Sequence, residues 1–468
     1  MAITATDACR RSRRARQARI VLLLAAAAGC ATPPPPEPEP PPVVTRPAPR
    51  RPPAPAPLPD TIPVRDSTPR DTLAPAPAAV PVRIEGRSPE VRVGLAVGAS
   101  SARIGGGSSP LQVEGPAGNF LGVIPAGESW EATPGGSGVV LRPPRGGRLT
   151  DRRIAVRPRE ADGLVRVGTR EYRGTLTLAP DRTGITVVNQ VELEAYLVGV
   201  VGAEMGGRPD GDREAVRAQA VVSRTYALRT RNRWRAQGFD YYATVADQVY
   251  AGVSAENPLA RDAIAATLGL AVTYGGAPID AFFFSTCGGR TELGTEVFRA
   301  ATRSYLRSVP DVDASGTAYC SPSPRFRWRQ SWTAQELRRA VERGLSEIGS
   351  EMAGAVSRVR DIRIAERTAS GRVGRLVIAL ANRNVSVESP RVRQVLRSPE
   401  GELLRSTLFS LRVSGGGSEV HGLTVEGSGA GHGVGFCQWG AIGRARAGQR
   451  YEDIIAAYYP GTRLERFY

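Results

Sequence analysis

From residue 91 onward the chain alternates apolar and polar positions in short runs, beginning with Val91-Arg92-Val93-Gly94-Leu95-Ala96-Val97. Successive side chains of a strand point to opposite faces, so a period of two predicts half-buried strands. Glycine and proline punctuate further runs at 139–141, 154–156 and 175–178, predicting an antiparallel β region that lasts to about Asn189. The period then changes. After Asp212, an N-cap residue by type, Ala215, Ala218, Val222 and Tyr226 recur at spacings of three and four. That predicts a helix packing one face and showing Arg217, Arg224 and Arg231 on the other. A second helix is predicted over 258–268, followed by a strand at 271–274, a Gly275-Gly276 turn and a strand at 279–284. A third helix is predicted from Trp332 to about Leu345. Runs at 362–364, 375–379 and 408–413 predict a second β region, and a last helix over 451–458 stops at Pro460-Gly461. The predicted fold class is α+β, with antiparallel β regions flanking a mixed helical core. No repeat at a solenoid period is present.

The first residues follow a different logic. Arg10, Arg11, Arg13, Arg14, Arg16 and Arg19 precede a short apolar segment, 20–28, which is too short to span a bilayer. This reads as an export signal over 1–30. Its end, Ala27-Ala28-Gly29-Cys30, is similar to a bacterial lipobox, with Cys30 as the residue that would be lipidated and anchor the chain to a membrane; ordinary signal cleavage nearby is the alternative. Residues 31–85 are dominated by Pro and Ala, cannot bury a core, and predict a disordered, extended tether.

Composition narrows the chemistry. All 62 basic residues are arginine, which excludes a P-loop lysine and Schiff-base catalysis. Removing the signal takes away six arginines and Asp7, so the formal charge falls from +17 to +12. An exported basic protein finds anionic partners in the polymers of the cell envelope. Arginine is spread along the chain without aromatic interleaving on one element, so no nucleic-acid partner is predicted.

Two segments carry the candidate chemistry. Glu204 ends the apolar run Tyr196-Leu197-Val198-Gly199-Val200-Val201-Gly202-Ala203-Glu204-Met205. A carboxyl held against such residues loses solvation, its pKa rises, and it becomes a general acid near neutral pH. The plainer reading is a helix-start acid favoured by the helix dipole. Far downstream, residues 427–441 alternate glycine with small residues around His432, Gln438 and Trp439. Glycine lets backbone approach a ligand while these side chains offer polar and stacking groups. The two segments are expected to form two halves of one cleft.

Six segments in order resemble the stage II sporulation protein D (SpoIID/LytB) family. They are 196–205; Ala218-Gln219-Ala220-Val221-Val222-Ser223-Arg224-Thr225-Tyr226-Ala227; Asp247-Gln248-Val249-Tyr250-Ala251-Gly252; Ser285-Thr286-Cys287-Gly288-Gly289-Arg290-Thr291; Gly431-His432-Gly433-Val434-Gly435 with Gln438-Trp439-Gly440-Ala441; and Tyr458-Tyr459-Pro460-Gly461-Thr462. The resemblance runs from about Val91 to the C-terminus. It implies a lytic transglycosylase acting on peptidoglycan glycan strands, with Glu204 at the catalytic glutamate position and no cofactor required. Gln219, Arg224, Tyr226, Gln248, Tyr250, Ser285, His432 and Gln438 are the candidate substrate-binding residues, with simple packing the alternative for those on the helix. The expected layout is a β-rich region over 86–185 and a catalytic domain over 186–468 with a β-rich insertion at about 355–425. The chain departs from the family pattern at Gly206, often Pro; at Phe284 and Cys287, often His and Ser; and at Cys437, often Ser.

Outside the signal the cysteines are Cys287, Cys320 and Cys437. In an exported chain they predict a disulfide plus one free thiol, or, with His432, a Cys₃His zinc site. Two other functions stay open: a glycan hydrolase that adds Asp247 or Glu292 as a second carboxylate, and a glycan-binding or scaffolding envelope lipoprotein without turnover.

Overall fold

The alternating runs pair into two antiparallel sheets that share one apolar interior. A computed structural model of the chain describes residues 87–298, 303–348, 356–415 and 417–468; the expected signal, Cys30 and tether lie outside the described residues. One sheet has the spatial order Tyr241–Tyr242, Glu90–Ala99, Ile185–Glu192, Thr175–Pro180, Ile154–Pro158, Leu111–Glu114, Phe120–Ile124, with only the first pair parallel. The other runs Arg170–Tyr172, Val165–Val167, Ala102–Gly106, Ser129–Gly135, Gly138–Arg142, Leu149–Asp151. Every second residue turns inward, among them Val91, Val93, Val113, Val156, Leu176 and Leu178, all buried. Burial at this alternation is what gives each strand its register.

The strand Ile185–Glu192 runs directly into helix α1, Leu193–Met205. The expected border at 185/186 therefore passes through a strand of the first sheet, and strands and helices belong to one apolar cluster. Helix α1 has no polar stripe for periodicity to detect: Leu197, Gly199, Gly202 and Met205 fall on different sides and all are buried. A helix apolar all round is one enclosed by neighbours. Around it stand α2, Arg213–Thr230, and α3, Pro258–Ala266, which begins at the N-cap Asn257 with its side chain accepting from the Ala260 N–H at 2.9 Å. Asp212 precedes α2 as predicted but does not cap it. Its carboxylate is instead taken bidentately by Arg446 at 2.7 and 3.0 Å.

A second apolar cluster draws on residues from Trp328 to Val425. It is built from the sheet Arg327–Thr333, Val420–Ser428, Phe409–Gly415, the sheet Val359–Arg367, Val373–Leu380, Asn384–Glu388, and helix α4, Ala334–Glu347. This core thus begins ahead of residue 355. Trp332 lies in a strand, not a helix; α4 starts after Thr333, which forms a capping box with Glu336.

The predicted strand 279–284 shortens to Phe283–Phe284, which pairs parallel with Phe436–Cys437. That pairing returns the glycine-rich segment to the first core, where α5, Gln438–Arg446, and α6, Tyr451–Tyr458, complete the helical layer. No helix among the described residues is long and apolar enough to cross a membrane.

Gly202 of α1 has the Ala255 carbonyl oxygen where a Cβ would lie, 2.0 Å away. Gly→Ala inside a helix ordinarily stabilises by about 0.5–1 kcal/mol, but a backbone carbonyl cannot step aside. For Gly202→Ala the overpacking is expected to win, lowering stability by about 1–3 kcal/mol in denaturant titrations.

Candidate active site

Helix α1 stops one residue after Glu204, at Gly206, whose φ of 68° is a left-handed conformation that glycine adopts without cost. Glu204 is therefore a helix-end residue, the opposite of the helix-start alternative. The C-terminal end of a helix carries partial negative charge, which disfavours a carboxylate there. Burial raises its pKa above the ordinary glutamate value; two hydrogen bonds act the other way, from the Gln438 amide at 3.1 Å and the Val249 backbone N–H at 3.4 Å. No charged group enters that balance, so an uncharged, half-buried pocket sets the acid.

Gln438 is the first residue of α5, and α5 is fastened on several sides. The Cys437 sulfur accepts from Gly440 N–H at 3.2 Å, Arg444 donates to Asp311 at 3.0 Å, and Arg446 holds Asp212. Beside Gln438, the half-buried Trp439 lies under the Arg208 guanidinium, 4.7 Å from its ring centroid. Arg208 also donates to the Met205 carbonyl at 2.7 Å. An aromatic face with a cation along it suits a sugar ring. Sequence reading passes over Arg208 because Gly206-Gly207-Arg208 reads as a loop.

The other expected residues divide. Gln248 is buried, accepts from Tyr196 and donates to the Ser223 carbonyl, while its neighbour Val249 supplies the N–H that reaches Glu204. Gln219 is buried and donates to Ser223 at 2.9 Å; its Oε1 has no partner. Tyr226 donates to Asp247 at 3.2 Å. The Ser285 carbonyl accepts from Trp439 N–H at 3.0 Å, so its backbone supports the aromatic wall.

Arg224 and Tyr250 are corrections. Arg224 is completely buried, grips Glu194 through two 2.7 Å bonds and reaches the Leu270 and Ile264 carbonyls. It does not lie on a solvent face of α2, because every residue of that helix from 218 to 227 is buried. Tyr250 is buried against Tyr196, ring centroids 4.8 Å apart, and donates to Asn189. Both hold the fold and neither is free to meet a substrate.

His432 keeps to the glycine-rich segment. Its Nδ1 accepts from Val434 N–H at 3.1 Å, so its Nε2 is the donor to the Phe283 carbonyl at 2.9 Å, and Phe282, Phe284 and Phe298 surround the ring. Burial drives its pKa down to about 4, and the imidazole stays neutral. With both nitrogens engaged it cannot complete a Cys₃His site. Asp311 stands there instead: ligand atoms of Cys287, Asp311, Cys320 and Cys437 lie within 4.8 Å of one another, and the three cysteines are unbridged. No motif around Val309-Pro310-Asp311 signals this in the sequence.

The acids suspected as a second carboxylate are both occupied. Asp247, its side chain fully buried, accepts from Trp234 at 2.8 Å and Tyr242 N–H at 2.9 Å. Glu292 accepts from Thr368 at 2.6 Å, Ser370 at 2.8 Å and Leu293 N–H at 2.7 Å.

A family model described as a stage II sporulation protein matches residues 181–274, and one described as a domain of unknown function matches 317–435. Stage II sporulation protein D of Bacillus subtilis is 30% identical over 300 residues, covering 60% of this chain and 77% of its own. An uncharacterised protein of Brachyspira hyodysenteriae is 31% identical over 296 residues, 62% of this chain and 72% of its own. The B. subtilis protein called amidase enhancer is 27% identical over 298 residues, 58% of this chain and 40% of its own.

The depressed His432 pKa has a thermodynamic consequence. The unfolded chain takes up a proton near 6.5 and the folded site resists it down to about 4, so stability is present above 6.5 and lost as pH falls through that window. Denaturant titrations across this range should show the decline, and His432→Gln should flatten it.

Proposed function

The chain belongs to the stage II sporulation protein D family, and from that premise we propose that it is a lytic transglycosylase cleaving peptidoglycan glycan strands. Glu204 is the single general acid and base. Protonated Glu204 gives its proton to the glycosidic oxygen as the C1–oxygen bond breaks. The C6 hydroxyl oxygen of the same sugar bonds to C1, its proton passes to the Glu204 carboxylate, and a 1,6-anhydro end forms without water. The observation that carries this reading is an acid with a raised pKa, held by uncharged donors. A hydrolase needs a second carboxylate across the bond, and Asp247 and Glu292 are already committed to structural donors.

Gln438 orients the carboxyl, and the Arg208–Trp439 wall is the surface on which we place a neighbouring sugar. Gln219, with an unpartnered amide oxygen, remains a proposed substrate contact. The export signal and Cys30 extend the proposal to place: a lipoprotein anchored to a membrane and facing the cell wall.

The relative called amidase enhancer favours a second reading, in which the fold binds glycan and assists another enzyme. Mass spectrometry of purified peptidoglycan after incubation separates them. Anhydro-terminated fragments are expected, with Glu204→Gln reducing their release by about 10²–10⁴-fold while the melting temperature at neutral pH does not fall. Products without the anhydro ring would indicate a hydrolase; glycan retained without any product would favour the binding protein.

The pH profile tests the acid itself. Turnover needs Glu204 protonated, so rate is lost as pH rises through its elevated pKa. The Gln438 donor favours the anion, so Gln438→Leu should move that alkaline limb upward while lowering kcat.

A further inference from the structure

We infer that Cys287, Cys320, Cys437 and Asp311 form a zinc site that clasps three chain segments together behind Glu204. The inference does not depend on the reaction assigned to that acid.

The four side chains come from separate places: Cys287 follows the strand Phe283–Phe284, Asp311 and Cys320 lie in the connection after it, and Cys437 precedes α5. All four are fully buried. Cys287 Sγ stands 3.4 Å from Cys320 Sγ and 3.1 Å from Asp311 Oδ2, and no pair of ligand atoms is more than 4.8 Å apart. Tetrahedral zinc with sulfur at about 2.3 Å needs ligand atoms roughly 3.8 Å apart. The observed spacings bracket that value. A disulfide between Cys287 and Cys320 would need their sulfurs at about 2.05 Å and would strand a buried thiol and a buried carboxylate beside it.

The surroundings are arranged for sulfur that accepts. Cys287 N–H donates to Cys437 Sγ at 3.1 Å, Gly289 N–H to Cys287 Sγ at 3.3 Å, and Gly440 N–H to Cys437 Sγ at 3.2 Å. The turn that folds Gly289 N–H back onto Cys287 uses left-handed Gly288 and Gly289, with φ of 81° and 106°. Asp311 is oriented from behind: its Oδ1 accepts from Arg444 at 3.0 Å and Tyr458 at 2.9 Å, leaving Oδ2 toward the sulfurs. Arg372, buried, donates to the Cys287 carbonyl at 2.6 Å and brings positive charge to the thiolates. Hydrogen bonds that fix ligands from outside and nearby cations are the outer shell of a metal–thiolate centre. A soft, three-sulfur donor set with one carboxylate selects zinc over calcium or magnesium.

Because Cys437 is the N-cap of α5, the clasp fixes Gln438, the next residue, against Glu204. Its role is positioning. The full chain, purified without a metal-affinity tag or chelator, is expected to hold about one zinc per chain by elemental mass spectrometry. Cobalt exchange should give a tetrahedral spectrum with sulfur-to-cobalt charge-transfer bands. Cys320→Ser should lose metal to a competing chelator at least tenfold more readily. If that variant does not fold, Cys320→His tests the same ligand: retained cobalt with weakened charge transfer supports the site, and an unchanged spectrum overturns it. Zinc-free parent protein with a Cys287–Cys320 bridge in a non-reducing peptide map would also overturn it.

Discussion

Glu204 and Gln438 meet at 3.1 Å although 234 residues separate them along the chain, and the architecture is organised around keeping that contact. The acid comes from the end of a helix that grows without a break out of a sheet strand. The amide comes from the start of a helix bolted at both ends. Neither partner has freedom to drift, which is what the proposed reaction asks of its proton donor, since small misplacement of a reacting group costs rate heavily.

Much of the bolting is done by arginine acting as a planar fork. Arg224 on Glu194, Arg446 on Asp212 and Arg173 on Glu256 all make paired bonds through Nε and a terminal nitrogen. Lysine offers a point charge and cannot match two carboxylate oxygens at once. A chain with no lysine has these sites throughout. The Arg224–Glu194 pair lies deepest, and removing one partner of a buried pair leaves a charge that costs about 3–5 kcal/mol. Tyr468 also donates to Glu194, so the last residue of the chain joins the same knot.

The strands at 91–97, 154–156 and 175–178 and the helices 213–230, 258–266 and 451–458 were legible because period-two and period-3.6 patterns report half-buried elements directly. Helix α1 was not, because enclosure on all sides erases the polar stripe. The same enclosure misdirects Arg224: spacing puts it on an outer face that α2 lacks between residues 218 and 227. Asp311 was invisible for another reason. A ligand contributed from an irregular connection leaves no periodic trace, and only folding shows that it faces the three cysteines. His432 drew attention as a rare side chain, yet its nitrogens hold a turn and a strand.

The continuity of Ile185–Glu192 with α1 has a consequence for how this molecule can be divided. Asn189 faces Val93 on one side and Leu176 on the other, and its side chain also accepts from Tyr250. A fragment opened at residue 186 would keep the acid but forfeit both flanking strands, exposing the ladder on which its own helix is mounted. The paired sheets are thus the foundation of the helix that carries Glu204 and not a detachable neighbour.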